Sequence, residues 1–172
     1  FKLRAMGKYI GATPKEFRYY EEKDGALIVP RGMFSRLKRY LVGVGVETDL
    51  KSAKLNLKLP QIELRNYQAD IMTHFRTSKP TEGVFLMGPG TGKTIMALEI
   101  IRELGLTATI LCNTNTILSQ FVEEMKKYWN YDCGIINGKK KEIKEITVAS
   151  IASLFSNEAL LKQLVGNTSV LI

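Results

Sequence analysis

Met87-Gly88-Pro89-Gly90-Thr91-Gly92-Lys93-Thr94 decides how this chain is read. It follows the apolar run Val84-Phe85-Leu86-Met87, which predicts a short buried strand. It precedes Ile95-Met96-Ala97-Leu98-Glu99-Ile100-Ile101, whose spacing predicts a buried helix. Strand, glycine-rich loop and helix in that order aim successive backbone N–H groups, and the positive end of the helix dipole, at one anionic spot. Gly90 and Gly92 can take positive φ and bring the backbone close to phosphate oxygens without a Cβ in the way. Lys93 is placed to neutralise the β- and γ-phosphates of a nucleotide, and the Thr94 hydroxyl to ligate Mg²⁺. A glycine-rich turn that merely contains Lys-Thr is disfavoured by the strand before it and the helix after it.

The 172 residues suffice for one domain, or for a nucleotide-binding domain preceded by a small one. The composition, 45% hydrophobic and 24% charged, is that of a packed, water-soluble chain. No apolar stretch reaches the ~18–20 residues of a membrane-spanning helix, so no membrane partner is expected. Phe1-Lys2-Leu3-Arg4 does not open a signal peptide, which points to the cytoplasm, or a host's cytoplasm or nucleoid if phage-encoded. Cys112 and Cys133 sit in segments that read as buried, and the lone His74 has no second ligand nearby; all three read as structural. The net charge of +8 is uneven: residues 1–60 hold 13 Lys/Arg and 6 Asp/Glu (+7), and residues 61–172 hold 12 and 11 (+1). That asymmetry suggests a nucleic-acid contact in the first segment. A basic, solvated accessory unit without a specific partner is the plainer alternative.

Phe17-Arg18-Tyr19-Tyr20 and Ala26-Leu27-Ile28-Val29 flank Glu21-Glu22-Lys23-Asp24-Gly25, a hairpin signal. Apolar residues at 33, 34, 37, 40 and 41 then predict a helix whose other face carries Arg36, Lys38 and Arg39, just after Arg31. A small basic α+β unit over residues 1–60 is expected, ending at Pro60. Beyond it, Leu64-Arg65-Asn66-Tyr67-Gln68 opens a helix toward Phe75. Strands are expected at 84–87, 107–112, 133–136, 143–149 and 169–172, with helices after 94, after Thr116 and at 160–164. Gly138-Lys139-Lys140-Lys141 reads as a solvated basic tip. Strands alternating with helices over 61–172 predict an α/β fold, a parallel, doubly wound sheet with the phosphate loop at the carboxyl end of its first strand.

Four segments resemble, in order and spacing, the motifs of superfamily 2 helicases and translocases. Met87, where phosphate loops often carry glycine, resembles that superfamily's form of motif I. Leu64 to Gln68, with Gln68 placed 25 residues before Lys93 (93 − 68), resembles its Q motif. Asn113 to Gln120 resembles motif Ia, Pro-Thr-x-x-Leu-x-x-Gln, with Asn113 for the proline and with Leu118 and Gln120 read as its Leu and Gln out of step with that spacing. Thr147 to Leu154 resembles the motif Ib region. The basic unit with Arg18-Tyr19-Tyr20 and Pro30-Arg31-Gly32 looks like those preceding the motor core in phage and XPB-like members.

The resemblance implies a RecA-like first motor domain over residues 61–172, with ATP and Mg²⁺ as cofactors. It implies that Gly88, Pro89, Gly90, Thr91, Gly92, Lys93 and Thr94 hold the nucleotide, with Lys93 and Thr94 serving hydrolysis. Gln68 would read the adenine edge, its amide offering both donor and acceptor. Tyr67 and Arg65 would flank base or ribose, or else anchor the helix. Thr114, Ser119, Gln120 and Ser150 would meet the nucleic-acid backbone, alongside Arg31, Arg36, Lys38 and Arg39. Helix capping is the local alternative for Thr114. DNA, or RNA, is the expected partner, as is a second RecA-like domain. In the family, a strand resembling Ser169 to Ile172 runs into an Asp-Glu pair that assists hydrolysis. The chain therefore reads as the amino-terminal piece of a longer ATP-dependent motor, inactive by itself. The motor subunit of a restriction system and a stand-alone module that binds ATP without turnover are the alternatives.

Overall fold

A computed structural model of the protein describes residues 21–23, 26–28, 52–80 and 82–172. The chain divides into two compact units, Phe1–Leu50 and Lys51–Ile172. In the first, β1 (Glu21–Lys23) pairs antiparallel with β2 (Ala26–Ile28), Glu21 opposite Ile28 and Lys23 opposite Ala26. The hairpin expected from Asp24-Gly25 therefore forms, with Glu21–Lys23 in its first strand; residues 17–20 lie outside the described residues. Only Asp24 and Gly25 intervene between the innermost pair, the two-residue spacing that Asp-Gly favours. The expected helix at 33–41, with Arg31, Arg36, Lys38 and Arg39, lies outside the described residues.

The second unit runs α1 (Asn66–Ser78), α2 (Lys93–Leu104), β3 (Ala108–Cys112), α3 (Asn115–Trp129), β4 (Gly134–Ile136), β5 (Lys141–Glu142), β6 (Ile146–Ser150), α4 (Ile151–Phe155), α5 (Glu158–Gly166) and β7 (Val170–Leu171). The sheet order is β5-β4-β6-β3-β7, parallel throughout except for β5. Strand alternation sends successive side chains to opposite faces. Ala108, Ile110 and Cys112 of β3, with Ile146 and Val148 of β6, meet Ala97, Leu98 and Ile101 of α2 and Leu118, Phe121 and Met125 of α3. Ile136 and Ala149 face the other way, onto Leu154 of α4 and Leu160 and Leu164 of α5. Helices thus cover both faces of a mostly parallel sheet, as in a RecA-like domain. A separate cluster of Met72, Phe75, Met96 and Ile100 packs α1 against α2.

The division falls ten residues before the expected boundary at 60, because residues 53–62 are stitched to the second unit. The backbone pairs Leu55 N with Gly105 O and Thr107 N with Ala53 O, each at 2.9 Å. Asn56 bonds Glu145 through both backbone and side chain, and the Trp129 indole donates to Pro60 O at 3.1 Å. Moving the boundary also moves Lys51, Lys54 and Lys58. The first 50 residues then hold 10 Lys/Arg against 6 Asp/Glu (+4), and residues 51–172 hold 15 against 11 (+4). The charge excess is shared by the units rather than concentrated in the first.

Val84-Phe85-Leu86-Met87 is not the buried strand the sequence predicts. Val84 is 94% and Leu86 98% exposed, and no strand among the described residues pairs with the run. Its alternation survives on one side only. Phe85 sits 6.3 Å from the Phe75 ring, and Met87 packs on the α1–α2 cluster. An apolar pattern specifies an extended chain with two faces to cover, but a strand also needs a neighbour's hydrogen-bond ladder. At the β5 edge of the sheet, Lys141–Glu142, expected within or beside a loop, forms β5 against Ile135–Ile136 of β4.

Candidate nucleotide and nucleic-acid site

The phosphate loop is held at both ends by apolar packing, through Met87 before it and Met96 to Ile101 of α2 after it. Between these anchors Gly90 and Gly92 adopt φ of 72° and 83°, the left-handed region in which a side chain is strained. Thr91 Oγ1 donates to Gly88 O at 2.7 Å. Lys93 Nζ donates to Met87 O at 3.0 Å and to Gly88 O at 2.7 Å, so the ammonium lies across the loop it follows. Gly92 caps α2 without a side-chain hydrogen bond. The first N–H groups of α2 are thus free of a side-chain cap, and the helix dipole adds to Lys93 at the same end. This arrangement fits a phosphate group.

Gln68 of α1 is 3% exposed and joins helix to loop. Its Oε1 accepts from Arg65 N at 2.9 Å, and its Nε2 donates to Thr91 O at 2.9 Å. The Tyr67 hydroxyl donates to the same carbonyl at 2.8 Å and accepts from Arg65 Nη1 at 3.3 Å. Tyr67 and Gln68, two of the three residues expected on the base side, therefore converge on Thr91, and the third, Arg65, is bonded to both of them. The approach is close: a Cβ on Gly92 would lie 2.5 Å from Gln68 Nε2.

Thr94, half-buried at the start of α2, accepts a hydrogen bond from Gln120 Nε2 of α3 at 3.2 Å. Gln120 is thereby bonded to the first turn of the helix that follows the phosphate loop. Its place in the motif also needs correcting. Gln120 stands six residues after Thr114, as the pattern Thr-x-x-Leu-x-x-Gln requires, and Ile117 rather than Leu118 holds the leucine's place. Leu118 is a core residue. Thr114 caps α3, its Oγ1 accepting from Ile117 N at 3.3 Å.

Ser150 ends β6 in register with Cys112, so Ser150 and Thr114 lie at the same, carboxyl-terminal edge of the sheet. Ser119 opens onto a groove of about 260 Å³ shared with Asn137, Lys139 and Lys140. Asn137 Oδ1 accepts from the backbone N–H groups of both lysines, at 2.9 and 2.8 Å, which fixes the tip. From sequence alone those lysines read as a solvated loop; only the fold brings them beside Ser119.

Glu99 is a second residue that spacing did not single out. Wholly buried in α2, it accepts from Ile62 N at 2.7 Å and from Arg102 Nε at 2.8 Å. A lone carboxylate inside Ile95-Met96-Ala97-Leu98-Glu99-Ile100-Ile101 was the available signal. Among the described residues no group of three or more His, Cys, Asp or Glu could hold a metal. A divalent cation here would rest on the Thr94 hydroxyl and on phosphate oxygens, a donor set of hard oxygens that suits Mg²⁺. No helix among the described residues is long and apolar enough to cross a membrane.

Residues 61–172 match the family described as "Type III restriction enzyme, res subunit". The chain is 29% identical over 123 residues to the DNA 3'-5' translocase XPB2 of Sulfurisphaera tokodaii, covering 70% of this chain and 28% of that protein. It is 29% identical over 83 residues to "Probable helicase D10" of Escherichia phage T5, covering 48% of this chain and 18% of the relative. The chain spans less than a third of the length of either relative. With the family matched over most of its length and the sheet and loop in place, the chain belongs to the res-subunit family of Type III restriction enzymes and so to the superfamily 2 helicases and translocases.

Proposed function

We propose that this chain supplies the ATP-binding part, and one nucleic-acid-binding face, of an ATP-dependent DNA helicase or translocase. The observation that carries the reading is Lys93 pinned across its own loop beside an uncapped helix N-terminus. Gly88 to Thr94 would hold the phosphates, and Thr94 would contribute its hydroxyl to Mg²⁺. Bound ATP would supply the phosphoryl group whose hydrolysis drives movement on nucleic acid. Gln68 would hold the loop through Thr91 and read adenine with the hydrogen and lone pair its amide retains. The relatives' printed activities, a DNA 3'-5' translocase and a helicase, support DNA as the partner.

Thr114, Ser150, Ser119 and the Lys139–Lys140 tip line one edge of the sheet, and hydroxyl and ammonium donors suit contacts to phosphates rather than bases. The even charge division supports binding through both units rather than through the first alone. The family description favours a second reading, the motor subunit of a restriction system, in which the same ATP site serves translocation beside a nuclease.

Calorimetry with ATP and ADP, with and without Mg²⁺, tests the ATP site. Binding lost in Lys93→Ala is the expected result, and equal binding by both forms would end the reading. DNA affinity measured across a salt series tests the second half, because neutralised phosphates release counterions and affinity must fall as salt rises.

A further inference from the structure

We infer that Gln120 is a positioning residue for Thr94, and that through it α3 sets how strongly Mg²⁺ strengthens nucleotide binding. The inference rests on the ATP-site reading above. Threonine in a helix divides between two χ1 rotamers, because its hydroxyl can turn back onto the preceding turn's carbonyls. A metal ligand must instead present an oxygen lone pair outward in one fixed direction. Gln120 Nε2 donates to Thr94 Oγ1 at 3.2 Å. That bond holds the hydroxyl on the α3 side, takes one lone pair, and leaves one lone pair and the proton for other partners.

The donor is itself fixed. Leu118 and Phe121, on either side of Gln120 in α3, are buried against Ala97, Leu98 and Ile101 of α2. The two helices are thus locked side by side, and the amide has a defined reach to the hydroxyl. Gln120 is exposed and has water as an alternative partner, so its bond to a neutral hydroxyl is a selected geometry rather than a forced one. The same helix is capped by Thr114, on the sheet edge proposed above to meet nucleic acid. A shift of α3 there would alter Thr94, and by linkage the cation would alter α3 in return.

The test is ADP binding to the whole chain by calorimetry, in Mg²⁺ and in EDTA, for wild type, Gln120→Ala, Thr94→Ala and the double variant. The measured quantity is the ratio of affinities with and without Mg²⁺. Gln120→Ala should lower that ratio about three- to tenfold, the range one net hydrogen bond carries, and leave the EDTA affinity unchanged. In the Thr94→Ala background the same change should have no further effect. An unchanged ratio, an equal loss with and without Mg²⁺, or an effect that persists without Thr94 would each overturn the assignment. Lys93→Ala separates the two levels. If it binds ADP as well as wild type, the ATP site itself is wrong and the role of Gln120 falls with it; if it does not, the ratio judges Gln120 alone.

Discussion

The buried carboxylate of Glu99 accepts the backbone N–H of Ile62 at 2.7 Å, tying the strap over residues 53–62 to the helix that begins at the phosphate loop. Three residues beyond Ile62, Arg65 starts the network that ends on Thr91. One fully buried side chain therefore helps set where α1 stands relative to α2. Glu99 also receives the Arg102 guanidinium at 2.8 Å, so neither oxygen is left without a donor.

Glu99→Ala is expected to destabilise the second unit by about 3 kcal/mol, since it leaves a buried N–H unpaired and Arg102 without its partner. Urea unfolding followed by circular dichroism measures this. A change under about 0.5 kcal/mol, the level of ordinary surface substitutions, would show that the strap is held by its other bonds.

Gln68→Ala should weaken both ATP and GTP, because the Thr91 carbonyl loses one of its two side-chain donors. ATP should lose more, since the adenine edge alone matches the amide's remaining donor and acceptor. Competition binding with both nucleotides gives the answer. Equal losses would leave Gln68 as a clamp on the loop with no part in base selection.

Gly92→Ala meets two obstacles at once, a φ of 83° and a Cβ placed 2.5 Å from Gln68 Nε2. The left-handed backbone alone costs about 1 kcal/mol for a residue with a side chain. The displaced amide would free the loop, so nucleotide affinity should fall by more than the stability loss explains. Parallel thermal melts and ADP titrations of this variant separate the two effects. A melt lowered with affinity intact would mean that loop shape does not depend on Gln68.

Burial pushes the Cys133 thiol up to about 11 and raises Cys112 as well. At pH 8 the Cys133 thiolate is then about one part in a thousand, and alkylation by iodoacetamide should be slow until the chain unfolds. Because these thiols hold their protons more tightly folded than unfolded, their contribution is intact below pH ~8.5, the ordinary thiol value, and is lost as pH rises toward 11. Denaturant midpoints at pH 8 and pH 10.5 should differ less in Cys133→Ala than in wild type. Fast alkylation at pH 8 under native conditions would contradict the burial that causes the shift.

Residue type and spacing alone determined the phosphate loop, the alternation of the main helices and strands after it (though not β5 or the short α4), the Asp24-Gly25 hairpin and the doubly wound sheet. These depend on local chemistry: glycines where φ is positive, a lysine and a threonine opening a helix, apolar residues at periods of two and 3.6. What the sequence could not decide depends on neighbours. Val84 to Met87 alternates as a strand does, yet has no ladder beside it, and Lys141–Glu142 is a strand only because β4 lies alongside. Lys51, Lys54 and Lys58 look like part of a basic amino-terminal unit until backbone bonds to Gly105 and Thr107 assign their segment to the second unit. Gln120 occupies a place that suggests nucleic acid, and its partner Thr94 lies 26 residues away in sequence. Only packing of α2 against α3 sets which of the two a flexible amide can reach, because side-chain hydrogen bonds follow distance in space and leave no periodic trace along the chain.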